Sequence, residues 1–186
     1  MANFCYAEPP YLGCDSLYRD MHPQADDYDD PETHRQLVDG LVKEFHDGWA
    51  MSLSTPSLQT ILPMCPSDVR VMAWVKPFAV FKPNVGVAYA WEPVIVRGGR
   101  KRTRSMPTIR DWIAEPITLQ RGCPGAKPES FAFWLFEVLG MQPEDKFLDL
   151  FPGSGAVSKA WHRFQTEPKL PLTYVDQVQQ ELLGET

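Results

Sequence analysis

Apolar and polar positions along the chain follow two rhythms. Short apolar runs closed by proline read as buried strands: NFCYA at 3–7, stopped by Pro9 and Pro10, and VRVMAWVKP, stopped by Pro77. GWAMSLS and KFLDLF read the same way, and AWEPVIVRGG is a strand whose Pro93 predicts a place near a sheet edge or at a bulge. The second rhythm is helical. In DPETHRQLVDGLVKEF, Asp30 suits an N-cap and Pro31 the first helical position, with Leu37, Val38, Leu41, Val42 and Phe45 on one face. TPSLQTILPMC opens on the same cap-then-proline signal. KPESFAFWLFEVLGM is apolar on nearly every face and predicts a deeply packed helix; in SGAVSKAWHRF, Val157, Ala160, Trp161 and Phe164 recur at i, i+3, i+4 and i+7. Residues 12–30 predict a mobile loop, residues 78–90 an irregular stretch, and residues 97–126 a loop with a short helix at TIRDWIA; PLTYVD reads as a last strand. Strands alternating with helices predict an α/β fold with a mainly parallel sheet.

At 186 residues and 44% hydrophobic content, the chain has the length and apolar content for one domain with a real core. No basic-then-apolar leader opens it, and its densest apolar run, FAFWLF, is closed by Glu137, far short of the roughly 20 residues of a membrane span. The expected compartment is the cytoplasm, with no membrane partner. Cys5, Cys14, Cys65 and Cys123 form no CxxC pair and the histidines are scattered, so free thiols and no metal are expected. A net charge of −6 argues against nucleic acid, but its distribution argues for it: Arg97, Arg100, Lys101, Arg102, Arg104 and Arg110 crowd one segment, while acids gather in DDYDD at 26–30.

Two stretches carry chemistry. In FLDLFPGSGAVSKAW a strand meets a Gly153-Ser154-Gly155 turn and then a helix; ligands in open α/β sheets sit beyond such strand ends, where glycines allow close backbone approach and a helix N-terminus favours negative charge. The loop lacks the Lys-Ser/Thr of a phosphate-cradling loop, and Ser158 stands where a dinucleotide fingerprint has its third glycine. The second stretch is NFCYAEPPYLG, in which Glu8-Pro9-Pro10-Tyr11 ends a strand in a rigid extended turn with its carbonyls outside any ladder. Taken singly, the first is a tight turn and the second a strand terminator.

Taken together they resemble a family. DLFPGSG is similar to motif I of S-adenosylmethionine-dependent methyltransferases, Asp-x-Phe-x-Gly-x-Gly, and AEPPY to motif IV of the amino-methyltransferases, (Asp/Asn/Ser)-Pro-Pro-(Tyr/Phe/Trp), which act on the exocyclic nitrogen of adenine or cytosine in DNA. The Lys127-Pro128 pair that opens the helix before the motif I strand resembles motif X of members in which motif IV precedes motif I. The resemblance covers most of the chain, and is nearest to small methyltransferases encoded by actinobacteriophages. It implies a Rossmann-like class I methyltransferase fold, circularly permuted and truncated, with helices on both faces of the sheet. One domain spans 1–186: a motif IV half at 1–96, a short basic insertion at 97–126 in the target-recognition slot, and a motif X and motif I half at 127–186.

The implied activity is transfer of a methyl group from S-adenosylmethionine to a base flipped from double-stranded DNA, most of all N6 of adenine. Glu8 and the carbonyls of Pro9 and Pro10 would receive the target amine and Tyr11 would stack on the base, offsetting a flipping cost of a few kcal/mol. Asp149, Phe151, Gly153, Ser154 and Gly155 would line the cofactor pocket, with Lys127 and Pro128 near its methionine end and Asp176 at the ribose hydroxyls. Arg100, Lys101, Arg102 and Arg104 would touch phosphates. No metal is required, a homodimer is compatible with the reading, and the compartment would be the host cytoplasm for a phage protein. Glu8 departs from the family's Asp, and an acceptor displaced by about 1 Å costs about 100-fold in rate. A non-catalytic relative that binds DNA or cofactor therefore stays open, as does a methyltransferase for another planar amine or amide.

Overall fold

A computed structural model describes residues 1–19, 22–78, 85–104, 106, 108–117 and 126–167. Strands β1 (Asn3–Ala7), β2 (Gly48–Ser52), β3 (Arg70–Val75), β4 (Trp91–Gly98), β5 (Trp112–Ala114) and β6 (Lys146–Asp149) form one sheet in the spatial order β5-β3-β4-β2-β1-β6. β1 pairs in parallel with β2 and β6, and β3 with β5, whereas β4 runs antiparallel to both of its neighbours, β2 and β3. Five strands thus share one direction and β4 opposes them, which is the mainly parallel α/β sheet read from the sequence.

Helices cover both faces. Alternate residues of β1 point to opposite sides: Phe4 and Tyr6 pack in one cluster with α3 (Glu129–Val138) and α4 (Ala156–Thr166). Cys5 and Ala7 pack in a second cluster with α1 (Pro31–Glu44) and α2 (Thr55–Ile61). α3 owes its central place to composition: Phe131, Ala132, Trp134, Leu135 and Phe136 are wholly buried, and Phe136 meets Phe147 and Trp161 edge-on, each at 5.3 Å. Each large side chain of this kind contributes about 1.5–3 kcal/mol by leaving water. Asp30 caps α1 as its sequence predicts, accepting from the Glu32 amide at 2.9 Å; α2 is capped one residue earlier than its proline pattern implies, by Ser54, which accepts from the Ser57 amide at 3.4 Å. Among the described residues no helix is long and apolar enough to cross a membrane.

Two expectations are corrected. β4 is an interior strand despite Pro93, which lies opposite Ala73 of β3. The Pro93 carbonyl faces the other way and accepts from the Leu53 amide, one residue past the end of β2. In an antiparallel strand the N–H and C=O of a residue share a side, so the missing N–H falls beside Leu53, past the end of β2, and the proline removes the reciprocal bond of that last pair without interrupting the β3 or β2 ladder within the strands. TIRDWIA is no helix: Trp112–Ala114 form β5, with Ile113 buried and its two neighbours exposed, a period of two that a helix cannot satisfy. Residues 12–30 contain two short 3-10 turns, Asp15–Leu17 and Ala25–Asp29, pinned by the Gly13 amide on Asp29 Oδ1 at 2.8 Å. PLTYVD lies outside the described residues.

Candidate active site

β1 and β6 are neighbours in register, with Tyr6 beside Asp149, although some 140 residues separate them. Both strands therefore leave the sheet side by side at its carboxyl edge, and the Leu150 amide still donates to the Tyr6 carbonyl at 3.0 Å. Beyond that point the two segments diverge around a cavity of about 320 Å3. Its wall includes Tyr6, Glu8 and Pro10 from the β1 side and Asp149 to Ser154 from the β6 side. Lys127, Tyr18 and His22 complete much of the rest. A volume of this size falls within the roughly 300–1,000 Å3 of small-molecule sites.

The β6 turn is built for close approach. Gly153 and Gly155 have φ of 46° and 73°, left-handed values that cost an L-residue roughly 1–2 kcal/mol, and Gly155 is the N-cap of α4. Asp149 Oδ2 accepts from the Ser158 hydroxyl at 2.8 Å, while Oδ1 is buried without a hydrogen-bond partner among the described residues, though the Phe151 and Ser158 amides lie close enough to favour the carboxylate. Burial pushes the Asp149 carboxyl above its ordinary pKa, against the opposing pull of the Ser158 bond. The Phe151 ring is steadied by His22 and Tyr28, each with centroids at 5.5 Å.

The β1 turn is built around charge. Glu8 Oε1 pairs with Lys127 Nζ and lies 3.3 Å from the Tyr11 hydroxyl, whose one proton it shares with Glu92, whereas among the described residues Oε2 has only a long contact from the Tyr6 hydroxyl at 3.4 Å. Lys127 also pairs with Glu92 at 3.0 Å, and Glu92 in turn pairs with Lys76 and accepts from Tyr11 at 3.0 Å. Two carboxylates and two ammonium groups thus form a neutral quartet with Lys127, 2% exposed, at its centre. Burial alone would strip the charge from Lys127, yet Glu8 and Glu92 outweigh it and hold its pKa above the ordinary value. Burial likewise pushes Glu92 up, but Lys127 and Lys76 win and hold it below. Glu8 is the member left raised, because burial there exceeds what Lys127 supplies.

The structure brings Glu8, Pro10, Lys127, Asp149, Phe151, Gly153 and Ser154 to one cavity wall, while Pro9, Tyr11, Pro128 and Gly155 stand outside it. Pro128 is the N-cap of α3, its carbonyl accepting from the Phe131 amide. Tyr11, expected as a stacking surface, is 8% exposed with its hydroxyl held by Glu92; its neighbour Tyr18, set edge-on to it at 6.0 Å, lines the wall together with Tyr6, His22 and Phe151. Asp176 lies outside the described residues. Sequence reasoning missed Glu92, Lys76 and Tyr18. The visible signal was a lone acid within the apolar strand WEPVIV and a lysine closing the strand that pairs with it.

The basic segment is not beside the cavity. β4 runs against the other strands, so its end at Gly98 pairs with Gly48, the first residue of β2, at the amino edge of the sheet. The cavity opens at the carboxyl edge. The Arg100 guanidinium is committed to the fold: it pairs doubly with buried Asp145 (one bond at 2.6 Å), donates to the Gly140 carbonyl at 2.9 Å and lies over the Phe4 ring. Arg102 reaches the Glu137 carbonyl near the end of α3 at 3.4 Å, and Lys101 and Arg104 are exposed on the same stretch. Of the four residues expected to touch phosphates, Arg100 is thus spent on the fold, and the segment that carries them stands at the sheet edge opposite the cavity.

No family model matches the chain, and no curated protein matches it by sequence. Solved structures do match in fold. The M1.HpyAVI–SAM complex is 14% identical with a TM-score of 0.58, over 88% of this chain and 79% of that one. TTHA0409 of Thermus thermophilus, assigned as a DNA modification methylase and complexed with S-adenosyl-L-methionine, is 17% identical with a TM-score of 0.54, over 88% and 78%. The chain thus shares the α/β fold of these structures.

Proposed function

We propose that the chain is an S-adenosylmethionine-dependent methyltransferase acting on the exocyclic amine of a base flipped from DNA, N6 of adenine above all. One observation carries this reading: the Glu8-Pro9-Pro10 turn and the Asp149–Gly155 turn, remote in sequence, open from adjacent parallel strands onto one cavity. That motif IV precedes motif I along the chain yet neighbours it in the sheet supports the permuted order. The fold shared with SAM complexes and a DNA methylase supports the cofactor and the substrate class.

The residues fit the cofactor. Asp149 Oδ1 is a buried acceptor in need of a donor, and the glycine turn leaves backbone open to close contact. When bound, the cofactor supplies an electrophilic methyl on a sulfonium sulfur. The chain's own work is at the amine. Glu8 and a carbonyl of the proline turn accept its N–H bonds, which turns the nitrogen lone pair away from the turn. The two prolines hold those acceptors in place without moving parts, so most of the gain comes from orientation. Glu8 stands nearest to take the proton that the amine sheds after transfer. In this geometry Tyr18 offers the aromatic face to the base and Tyr11 acts through its hydroxyl.

A second reading, a methyltransferase for another planar amine or amide, is favoured by the basic segment, which stands at the far edge of the sheet while acidic 26–30 lies near the cavity through Tyr28 and Phe151. Incubation with methyl-labelled S-adenosylmethionine and, separately, DNA, RNA and cell protein distinguishes them. Labelled N6-methyladenine in the DNA digest is the expected result; label confined to protein replaces the first reading with the second.

A further inference from the structure

The quartet does more than fill the space behind the turn. Lys127 and Tyr11 both engage Oε1 of Glu8 and, among the described residues, leave Oε2 with only the 3.4 Å contact from Tyr6. Neither Lys127 nor Tyr11 is fixed by Glu8 alone: Glu92 holds Lys127 at 3.0 Å and Tyr11 at 3.0 Å, and Lys76 holds Glu92 from the other side. Lys76 and Glu92 come from the β3–β4 pairing, where Val75 faces Trp91, so the arrangement is anchored in the sheet and not in the turn.

We propose that Glu92 and Lys76 are positioning residues, which act through Lys127 and Tyr11 to pin Oε1 of Glu8 and leave Oε2 as the acceptor for the target amine. This rests on the methyltransferase reading. It also accounts for glutamate where the family has aspartate: the added methylene carries the carboxylate back to an ammonium group that the sheet holds ready. The charged and titratable groups that face Glu8 among the described residues include Lys127, Glu92, Tyr11, Tyr6 and Tyr18. Lys127 lowers its pKa and Glu92 raises it. Neutralising Glu92 therefore moves the Glu8 titration to lower pH.

The test is Glu92→Gln, which preserves shape, with Glu92→Asp as the conservative control and two readouts. Titration of Glu8, followed by carbon-13 NMR of labelled glutamate carboxyls, should shift to lower pH in Glu92→Gln and stay near wild type in Glu92→Asp. In methyl transfer to DNA, Glu92→Gln should lose at least tenfold in kcat with KM for S-adenosylmethionine within twofold, its acid limb displaced the same way; Glu92→Asp should recover most of the loss. An unmoved Glu8 titration overturns the inference whether or not the protein is active. So does a moved titration with wild-type kcat. A moved titration in a protein whose wild type methylates no DNA overturns the methyltransferase reading instead, and with it the acceptor role given to Oε2.

Discussion

At the scale of single residues the site depends on where hydroxyls and carboxylates end, and Tyr11 shows this most plainly. As a stacking ring it would tolerate Tyr11→Phe. As a buried donor, with its hydroxyl between Glu92 at 3.0 Å and Glu8 at 3.3 Å, it would not. Loss of a hydrogen bond to a charged group costs about 1.5–3 kcal/mol. Tyr11→Phe is therefore expected to lower stability by that amount in urea denaturation, a loss that a ring acting only by its face would not show. The sequence displayed Glu8, the prolines, Asp149 and the glycines because each carries its chemistry in its own type and spacing. It hid Glu92 and Lys76 because their meaning lies in pairing: nothing local says that a lysine at the end of β3 and an acid at the start of β4 will face a lysine 35 residues further on.

At the scale of elements, periodicity was a reliable guide wherever an element was long enough to repeat. β1, β2, α1, α3 and α4 could be read because each buries several residues, α1 and α4 along one face, β1 and β2 on both and α3 on most of its surface. β5 could not, since three residues hold barely one full alternation, and its helix-like spelling is overruled by pairing with β3. Nor could the interior place of β4, since a proline's cost depends on which side its absent N–H faces. The β5 assignment has an energetic consequence. Ile113 is 1% exposed within the α3 and α4 cluster, so Ile113→Ala should destabilise the fold by about 2–5 kcal/mol in urea denaturation. The same change in a solvated loop would fall within about 0.5 kcal/mol.

At the scale of the whole molecule, strand direction decides which charges can cooperate. The composition announces a basic segment and a net charge of −6, but only the reversed course of β4 reveals that the segment and the cavity occupy opposite edges of the sheet. Each phosphate contact contributes about 0.9 to the slope of log affinity against log salt. Replacement of Lys101, Arg102 and Arg104 together by Gln should accordingly change the salt slope of DNA binding at the cavity by less than one such contact. A flattening near three contacts would mean that the duplex wraps onto the far edge. Arg100 is unsuited to this comparison, because its loss would leave Asp145 charged and buried without its cation.

The balance of the quartet also bears on how this site can be inherited. Removal of one member leaves an uncompensated charge in the interior, a penalty of about 3–5 kcal/mol. Loss of Lys76 and Glu92 together leaves Glu8 and Lys127 still matched. As far as charge balance governs stability, descendants of this chain change these positions more readily in opposite-signed pairs than one at a time. The acid of the proline turn is tied in its history to two lysines and a second acid carried by quite different parts of the gene.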